Sequence, residues 1–165
     1  GNNNEAYQHQ KVTSFWAKIN QSGSNNWAKQ YQEGKRNKAE IIQSGDNNEA
    51  EQVQLQSQES DDGAGESNVK INQWGNGNLA TQYQAFEENV SDALIHQGGN
   101  GNVAAQHQFG TGYNDASIYQ HGNNNEAFQF QTGENLIGIV KQHSNNNSAL
   151  QTQTGTNNTA TTIQN

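Results

Sequence analysis

The side chains with the greatest potential for chemistry are a histidine pair and a group of acids. His121 and His143 occupy the same position in adjacent copies of a sequence repeat, so stacking of those copies would bring them within about 5 Å of each other. Two histidines without further ligands rarely form a metal site. Asp61 and Asp62 lack the spaced aspartates of a calcium loop. We therefore predict no metal and no cofactor.

The remaining acids do not form a catalytic cluster. The segment 56–66 (QSQESDDGAGE) and the pair Glu87 and Glu88 are acidic, and we interpret both as solvated loops that keep assemblies from clumping. An enzyme of the parallel β-helix type would need clustered acids or an arginine–acid site on one face, whereas the acids here scatter along the chain or lie in these loops. The sequence therefore favours a protein that is not an enzyme.

Composition restricts the partners. The formal net charge of −8 argues against nucleic acid as the main partner, because phosphate binding needs basic patches. No apolar stretch approaches the roughly 18 residues of a membrane span, so we predict no membrane insertion. The chain has no cysteine, which fits an extracellular setting. Gly1 falls within a repeat motif, which we interpret as the start of a processed, mature chain.

Hydropathy would suggest disorder, but a strict repeat overrides it. Hydrophobic residues make up 29% of the chain and the mean hydropathy is −1.12, values typical of chains that cannot bury enough apolar surface to fold. However, the stretch from Gln21 to Gln32 has the skeleton Q-x-G-x-x-N-x-A-x-Q-x-Q, and this skeleton recurs throughout the sequence. Disordered segments do not keep such a register, so the repeat decides the fold.

The repeat is 22 residues long and has two halves. The first half is G-x-x-N-x-A-x-Q-x-Q, and the second, weaker half is A-x-I-x-Q-x-G, as in Ala39 to Gly45. The third, fourth and fifth copies carry 8, 2 and 1 additional residues, which leaves no residue outside the scheme. We predict one domain over residues 1–165 with seven repeats at 1–22, 23–44, 45–74, 75–98, 99–121, 122–143 and 144–165.

The constant residues in each half alternate with variable ones, which predicts β-strands. A period of two places every constant residue on one face of a strand. Glycine and asparagine between the halves tolerate the positive φ of tight turns. Each repeat is then one strand-turn-strand rung. The predicted fold is all-β: a cross-β solenoid of seven stacked rungs with parallel, in-register ladders between them.

Stacking converts each constant position into a ladder with a spacing of about 4.8 Å. A buried amide without partners costs a few kcal/mol, but identical amides in a ladder can bond to each other. The predicted glutamine ladders are Gln8, Gln30, Gln52, Gln82, Gln106, Gln129, Gln151 and Gln10, Gln32, Gln54, Gln84, Gln108, Gln131, Gln153. The asparagine row and the turn glycines are Asn4, Asn26, Asn48, Asn78, Asn102, Asn125, Asn147 and Gly23, Gly45, Gly75, Gly99, Gly122.

Small and apolar residues fill the rest of the predicted interior. An alanine row, represented by Ala28 and Ala104, implies close approach of the two strands of a rung, because larger residues would overpack the site. An isoleucine/valine row, represented by Ile41 and Val140, supplies a thin apolar core. The interior is thus predicted to be a narrow, mostly polar steric zipper.

The variable row between the two glutamine ladders is rich in aromatic residues. It consists of His9, Tyr31, Val53, Tyr83, His107, Phe130 and Thr152, with Tyr7 and Phe128 beside it. Its simplest interpretation is strand propensity. The alternative is an exposed stripe for lateral bundling or adhesion.

The repeats resemble those of the curli subunits, bacterial functional amyloids built on S-x5-Q-x-G-x-x-N-x-A-x3-Q. Residues 67–84 match this pattern at Ser67, Gln73, Gly75, Asn78, Ala80 and Gln84. Two features depart from it. The leading Ser is replaced in other repeats by Phe15, Asn37, Asn114, Leu136 and Asn158. The position two residues after the alanine is glutamine in all seven copies, where the family usually has an apolar residue.

The resemblance implies a structural subunit of an extracellular, cell-surface amyloid fibre that forms biofilm matrix and mediates adhesion. It also implies partners: other copies of the chain, a nucleating subunit and an outer-membrane secretion channel. The open end rungs, Gly1 to Ser22 and Ser144 to Asn165, are the predicted polymerisation ends, because a head-to-tail contact that does not close gives a filament. The alternative is a monomeric β-solenoid binding module of the ice-binding or adhesin type, although only the last repeat is rich in threonine.

Overall fold

The computed structural model describes residues 1–11, 16–56, 66–86 and 90–165. Five residues discussed above, Phe15, Asp61, Asp62, Glu87 and Glu88, lie outside the described residues, as does most of the acidic segment 56–66.

The described residues form fourteen β-strands and no helix. The strands are β1 (Glu5–Lys11), β2 (Trp16–Ser22), β3 (Trp27–Glu33), β4 (Asn37–Ser44), β5 (Glu49–Gln56), β6 (Ser67–Trp74), β7 (Leu79–Phe86), β8 (Ser91–Gly98), β9 (Val103–Gly110), β10 (Asn114–His121), β11 (Glu126–Glu134), β12 (Ile137–Gln142), β13 (Ser148–Thr156) and β14 (Thr159–Gln164). No helix long and apolar enough to cross a membrane occurs in this part of the chain.

The strands build two parallel sheets. Sheet I has the order β1-β3-β5-β7-β9-β11-β13, and sheet II has the order β14-β12-β10-β8-β6-β4-β2. Each repeat therefore adds one strand to each sheet, and the pairing is in register: Gln8 lies opposite Gln30, and Gln52 lies opposite Gln82. The additional residues of the third repeat lie between β5 and β6, where they do not shift the register. The predicted β-solenoid with parallel, in-register ladders is confirmed.

Backbone conformation explains the glycine and asparagine of the turn after each even-numbered strand. Gly75 has φ +101°, and a Cβ at this position would overlap the carbonyl oxygen of Gly99 in the next rung. Two residues further on, five rungs place an asparagine in the left-handed region, for example Asn25 at φ 56°, while the fourth and fifth rungs have Gly77 at φ 63° and Gly101 at φ 65°. Glycine is therefore required at the first of these positions where another rung of the chain follows, whereas the last rung has Ser144 there; at the second position glycine is tolerated.

The core is a thin apolar layer between the sheets. Ile41, Ile71, Ile95 and Ile118 of sheet II have no exposed surface, and they contact the alanine row of sheet I. Ala104 is likewise fully buried. Because the alanine methyl is short, the isoleucine side chains fill the space between the sheets, and a larger side chain in the alanine row would force the sheets apart.

Candidate assembly interface: amide ladders and end rungs

The inward glutamines of sheet I form two continuous chains of hydrogen bonds. In the first ladder, Gln82 Nε2 donates to Gln106 Oε1 at 2.9 Å, and Gln106 Nε2 donates to Gln129 Oε1 at 3.0 Å. In the second, Gln84 Nε2 donates to Gln108 Oε1 at 2.7 Å. These five side chains are at most 2% exposed. These ladders stabilise the polar interior because each of their buried amides bonds to the amide of a neighbouring rung.

A third glutamine ladder runs through sheet II, and the sequence analysis did not include it among the ladder positions. Gln73 Nε2 donates to Gln97 Oε1 at 2.9 Å, and Gln97 Nε2 donates to Gln120 Oε1 at 2.9 Å. The row consists of Gln21, Gln43, Gln73, Gln97, Gln120, Gln142 and Gln164. The sequence contains the pattern that would have identified this ladder, because each of these residues is the glutamine of the A-x-I-x-Q-x-G half-repeat.

The second amide proton of many of these glutamines joins the two sheets. Gln106 Nε2 also donates to the backbone oxygen of Leu94, at 3.0 Å, and Gln97 Nε2 also donates to the backbone oxygen of Leu79, at 3.0 Å. Leu94 belongs to sheet II and Leu79 to sheet I, so the bonds cross the interior in both directions. One side chain thus satisfies both donors and its acceptor, as a buried primary amide requires.

The asparagine row bonds differently from the glutamine rows. Asn48 donates its backbone N–H to Asn26 Oδ1 of the preceding rung at 3.0 Å, and Asn26 Nδ2 donates to the carbonyl oxygen of Gly45 at 2.8 Å. The asparagine side chain therefore fixes both the turn of the next rung and the backbone just before the strand that follows this turn. Side-chain amide contacts between rungs, such as Asn48 Nδ2 to Asn26 Oδ1 at 3.2 Å, accompany these bonds.

An outer asparagine ladder at the same turn was also missed by the sequence analysis. Backbone N–H groups donate to the side-chain oxygen of the next rung, from Asn76 to Asn100 Oδ1 at 2.9 Å and from Asn100 to Asn123 Oδ1 at 2.9 Å. Asp46 and Asn145 occupy equivalent positions. The position follows the turn glycine and varies among asparagine, aspartate and serine, so its common property is a short side-chain oxygen.

The three glutamine ladders all have one direction. Every interrung amide bond in them runs from Nε2 of one rung to Oε1 of the rung that follows in sequence. On the first rung, Gln8 and Gln10 are exposed and donate forward to Gln30 and Gln32. The two ends of the solenoid are therefore different: the first rung presents amide oxygens, and the last rung presents amide nitrogens.

The end rungs are the least covered part of the solenoid. All seven residues of β1 are exposed, and the inward positions of β14 are half-buried instead of buried. On the last rung, Gln164 Nε2 donates only to the carbonyl oxygen of Ser148, at 2.9 Å, among the described residues. Each end strand also leaves one side of its backbone without a neighbouring strand in either sheet. Among the described residues, none lies across either end.

Charged side chains follow the same vertical arrangement on the outside. Lys29 pairs with Glu51 of the next rung at 2.7 Å, and Glu40 lies between Lys18 at 3.0 Å and Lys70 at 2.8 Å. The hydrogen bond from Lys70, together with that from Lys18, lowers the pKa of the Glu40 carboxyl below 4.5. These pairs are partly exposed, so they contribute little to stability compared with the buried amides.

The aromatic row between the glutamine ladders forms stacked columns. His9 and Tyr31 stack with ring centroids 5.1 Å apart, and His107 lies between Tyr83 at 6.0 Å and Phe130 at 5.2 Å. Partial burial lowers the pKa of His107 below 6.5, so its imidazole is neutral at neutral pH. His107 therefore adds no charge to the row at neutral pH.

The histidine pair singled out from the sequence belongs to another cluster, at the end of the sheet II strands. His121 and His143 stack with centroids 5.9 Å apart, and His96 lies 5.5 Å from His121 and 4.0 Å from Trp74. Burial, followed by the nearby His121 and Lys70, lowers the pKa of His96. Among the described residues, no group of three or more His, Cys, Asp or Glu side chains is arranged to hold a metal ion.

Comparison with known proteins yields one match. The family model of the curlin associated repeat matches residues 31–51 and 114–143. The second range spans β10, the following turn and β11 to β12, which are the strands that carry the ladder residues described above. No curated protein and no solved structure matches the chain.

Proposed function

Because the family model of the curlin associated repeat matches two stretches of the chain, we propose that the protein is a structural subunit of an extracellular, curli-like amyloid fibre and polymerises head-to-tail through its end rungs. The observation that carries the proposal is the common direction of the amide ladders. Amide nitrogens on the last rung and amide oxygens on the first are complementary groups. A contact of this kind does not close on itself and extends into a filament.

The register within the chain predicts the register between chains. Each rung places glutamine on glutamine and alanine on alanine. A second copy that continues this pattern would accept hydrogen bonds from Gln151, Gln153 and Gln164 through its own Gln8, Gln10 and Gln21. The asparagine row would bond in the opposite sense, because Asn147 Oδ1 would accept the backbone N–H of Asn4 of the next copy, as Asn125 Oδ1 accepts that of Asn147 at 3.0 Å.

Burial supplies the driving force for this contact. Ala28 and Gln30 are at most 1% exposed, whereas Ala6 and Gln8, the same positions on the first rung, are exposed. Adding a rung would therefore bury the first strand as fully as its interior equivalents. The unpaired backbone groups of the end strands would be satisfied at the same time.

The cellular role is proposed from the family. On this proposal the chain is secreted through an outer-membrane channel, is nucleated by a second subunit, and contributes to biofilm matrix and adhesion at the cell surface. It acts as a structural component and not as an enzyme. A monomeric ice-binding module would instead need a flat array of outward threonines. Among the described strands, outward threonines lie together only on the last rung, as Thr152 and Thr154 of β13 and Thr159 and Thr161 of β14. The preceding rung has Phe130 opposite Thr152 and Ile137 opposite Thr159.

Two variants with the same added charge test the proposed contact. Gln164→Glu keeps the acceptor for Gln142 Nε2, which lies 2.8 Å away, but replaces the outgoing amide donor by a carboxylate. This carboxylate would face the amide oxygen of Gln21 in the next copy. Thr161→Glu places the same charge on the exposed side of β14 and serves as the control.

We expect Gln164→Glu to raise the critical concentration for fibre formation roughly tenfold, because an unpaired charge would be buried at the contact. Thr161→Glu should leave it near the wild-type value, and acidification below the carboxyl pKa should restore assembly of Gln164→Glu. Thioflavin binding and sedimentation measure the fibre fraction, and X-ray fibre diffraction should give a reflection near 4.8 Å. A wild-type chain that remains a soluble monomer at high concentration would exclude the proposal.

A further inference from the structure

The outward side chains of sheet I divide the solenoid into a charged half and an apolar half. The strands β1, β3 and β5 carry Glu5, Lys29 and Glu51, and the last two form an ion pair at 2.7 Å. The outward positions of β7, β9, β11 and β13 are uncharged except for Glu126 and Glu134, which lie at the two ends of β11. We call the outward surface of these four strands the apolar face, and its large members are Leu79, Tyr83, Val103, Phe128, Phe130 and Leu150.

The apolar face is accessible to a partner. Leu79 and Leu150 are 37% and 70% exposed. The aromatic column Tyr83, His107 and Phe130 is covered along the solenoid axis by its own neighbours, but its outer side is open, since all three residues are only half-buried. Contiguous exposed apolar surface of this kind is characteristic of an interaction site.

The outward surface of sheet II mixes charged groups with exposed apolar residues such as Ile137 and Ile163. Glu40 bridges Lys18 and Lys70 across three rungs, and Asp92 lies directly opposite Asp115 on the neighbouring strand. Covering these groups would remove charges from water without new partners, which is unfavourable. The two sides of the solenoid therefore differ in what can pack against them.

We propose that the apolar face packs against the apolar face of a second copy of this chain, which joins fibres side by side. The inference rests on the proposed fibre for its role, although the face is present in a single chain. Self-pairing places uncharged strands on uncharged strands. A shift of about three rungs along the axis would instead place Lys29 and Glu51 against apolar residues, so the charged half determines the alignment of the pair.

The area of the face predicts how the strength of pairing depends on assembly. Four strands at about 4.8 Å spacing and eight residues at about 3.3 Å cover about 500 Å². A stable interface buries about 800 Å² on each partner, so two single chains should pair weakly. In a head-to-tail fibre the face recurs every seven rungs, or about 34 Å. Many weak contacts then act together, and fibres should pair firmly.

The absence of cysteine allows a direct test of lateral contact. Ala105→Cys places a single thiol near the centre of the apolar face, and Ser117→Cys places one on the outward side of sheet II in the same repeat. Both positions are half-buried, so the two labels are matched. Each variant is labelled with pyrene, whose excimer emission requires two labels in contact. Copies along one fibre lie about 34 Å apart, so an excimer reports lateral contact alone.

We expect excimer emission from fibres labelled at residue 105 and none from fibres labelled at residue 117. Phe130→Glu should lower the excimer-to-monomer ratio of the first label roughly tenfold, because it buries an unpaired charge in the contact. Ile139→Glu, at a half-buried outward position of sheet II in the same repeat as Phe130, should leave the ratio unchanged. Electron micrographs of the Phe130→Glu fibres should show single filaments instead of bundles.

Other results would overturn the proposal. Equal excimer emission from both labels, or equal loss with both glutamate variants, would show that pairing does not use the apolar face. If the wild-type chain forms no fibres, the proposed function fails, and excimer emission of soluble chains at up to about 1 mM then decides the pairing by itself. If the residue-105 label enters phosphatidylcholine vesicles and gives no excimer without them, the face binds lipid and the proposal is wrong.

Discussion

Replacing Gln106 with leucine should destabilise the folded chain, because it interrupts an amide ladder in the middle of the solenoid. Gln106 is 1% exposed, accepts from Gln82 Nε2 at 2.9 Å, and donates to Gln129 Oε1 at 3.0 Å and to the Leu94 carbonyl at 3.0 Å. Leucine has a similar size but none of these groups. The variant would leave one buried donor and one buried amide acceptor without their ladder partners.

The size of the effect follows from these two groups. Each unsatisfied buried group costs about 1–3 kcal/mol, so the two together cost about 2–6 kcal/mol. Burial of the additional apolar surface of leucine offsets about 1–2 kcal/mol. The free energy of unfolding should therefore fall by about 1–4 kcal/mol. Urea unfolding followed by circular dichroism, at a concentration where sedimentation shows a monomer, measures this difference.

Gln8→Leu is the matched control. Gln8 belongs to the same ladder but is exposed and makes a single ladder bond, to Gln30 Oε1 at 2.8 Å, so its replacement should cost less than about 1 kcal/mol. The double variant Gln82→Leu with Gln106→Leu provides a further check, because a leucine pair removes both members of one bond. Its cost should be lower than the sum of the single costs by about 0.5–3 kcal/mol. A Gln106→Leu variant as stable as the wild type would refute the ladder as the source of interior stability.

Three further outcomes are expected. Gly75→Ala should lower the urea midpoint strongly, because a Cβ there meets the next backbone, whereas Gly77→Asn should leave it unchanged or raise it, since no atom lies within 4 Å of a Cβ at Gly77. The pKa of the Glu40 carboxyl is lowered chiefly by the hydrogen bond from Lys70. The carboxylate therefore stabilises the folded chain above pH 4.5, and this stabilisation is lost as the pH falls through the pKa of folded Glu40. Glu40→Gln should remove this acid dependence, which amounts to less than about 1 kcal/mol. The pKa of His96 is also lowered in the folded chain, so the unfolded chain takes up the His96 proton at a higher pH, and stability falls as the pH drops below 6.5. His96→Gln should flatten this part of a plot of stability against pH. An unchanged slope would contradict the role of His96 in this dependence.

The repeat made most of the interior predictable. Alternation with a period of two identified which residues of each strand point inward, and equal spacing identified which of them meet on adjacent rungs. The positions predicted for the two glutamine ladders, one through Gln106 and one through Gln108, therefore lie opposite their equivalents on the neighbouring strands of the structure. Gln97 was not included because its half-repeat is weaker and was interpreted through its isoleucine, although the same spacing argument applies to it.

The outer surface was harder to predict, because its residues vary from rung to rung. Tyr83, His107 and Phe130 lie 24 and 23 residues apart and come together only when the rungs stack. The contrast between the apolar face and the charged outward surface of sheet II appears only when four strands are compared in register. The aromatic row is visible in the sequence, but strand propensity and an interaction surface both produce such a row.

The sequence by itself determined the rung, its seven repetitions, and the residue types that stack, because a repeat of 22 residues with alternating constant positions is compatible with only one register. Tertiary structure alone decided the direction of the amide ladders. A glutamine amide can donate towards either neighbour, and its sequence is the same in both cases, but two adjacent amides must agree for both to be satisfied. In the stacked rungs, every amide of the three glutamine ladders donates towards the following rung. The two ends of the molecule therefore differ, because one presents amide oxygens and the other amide nitrogens.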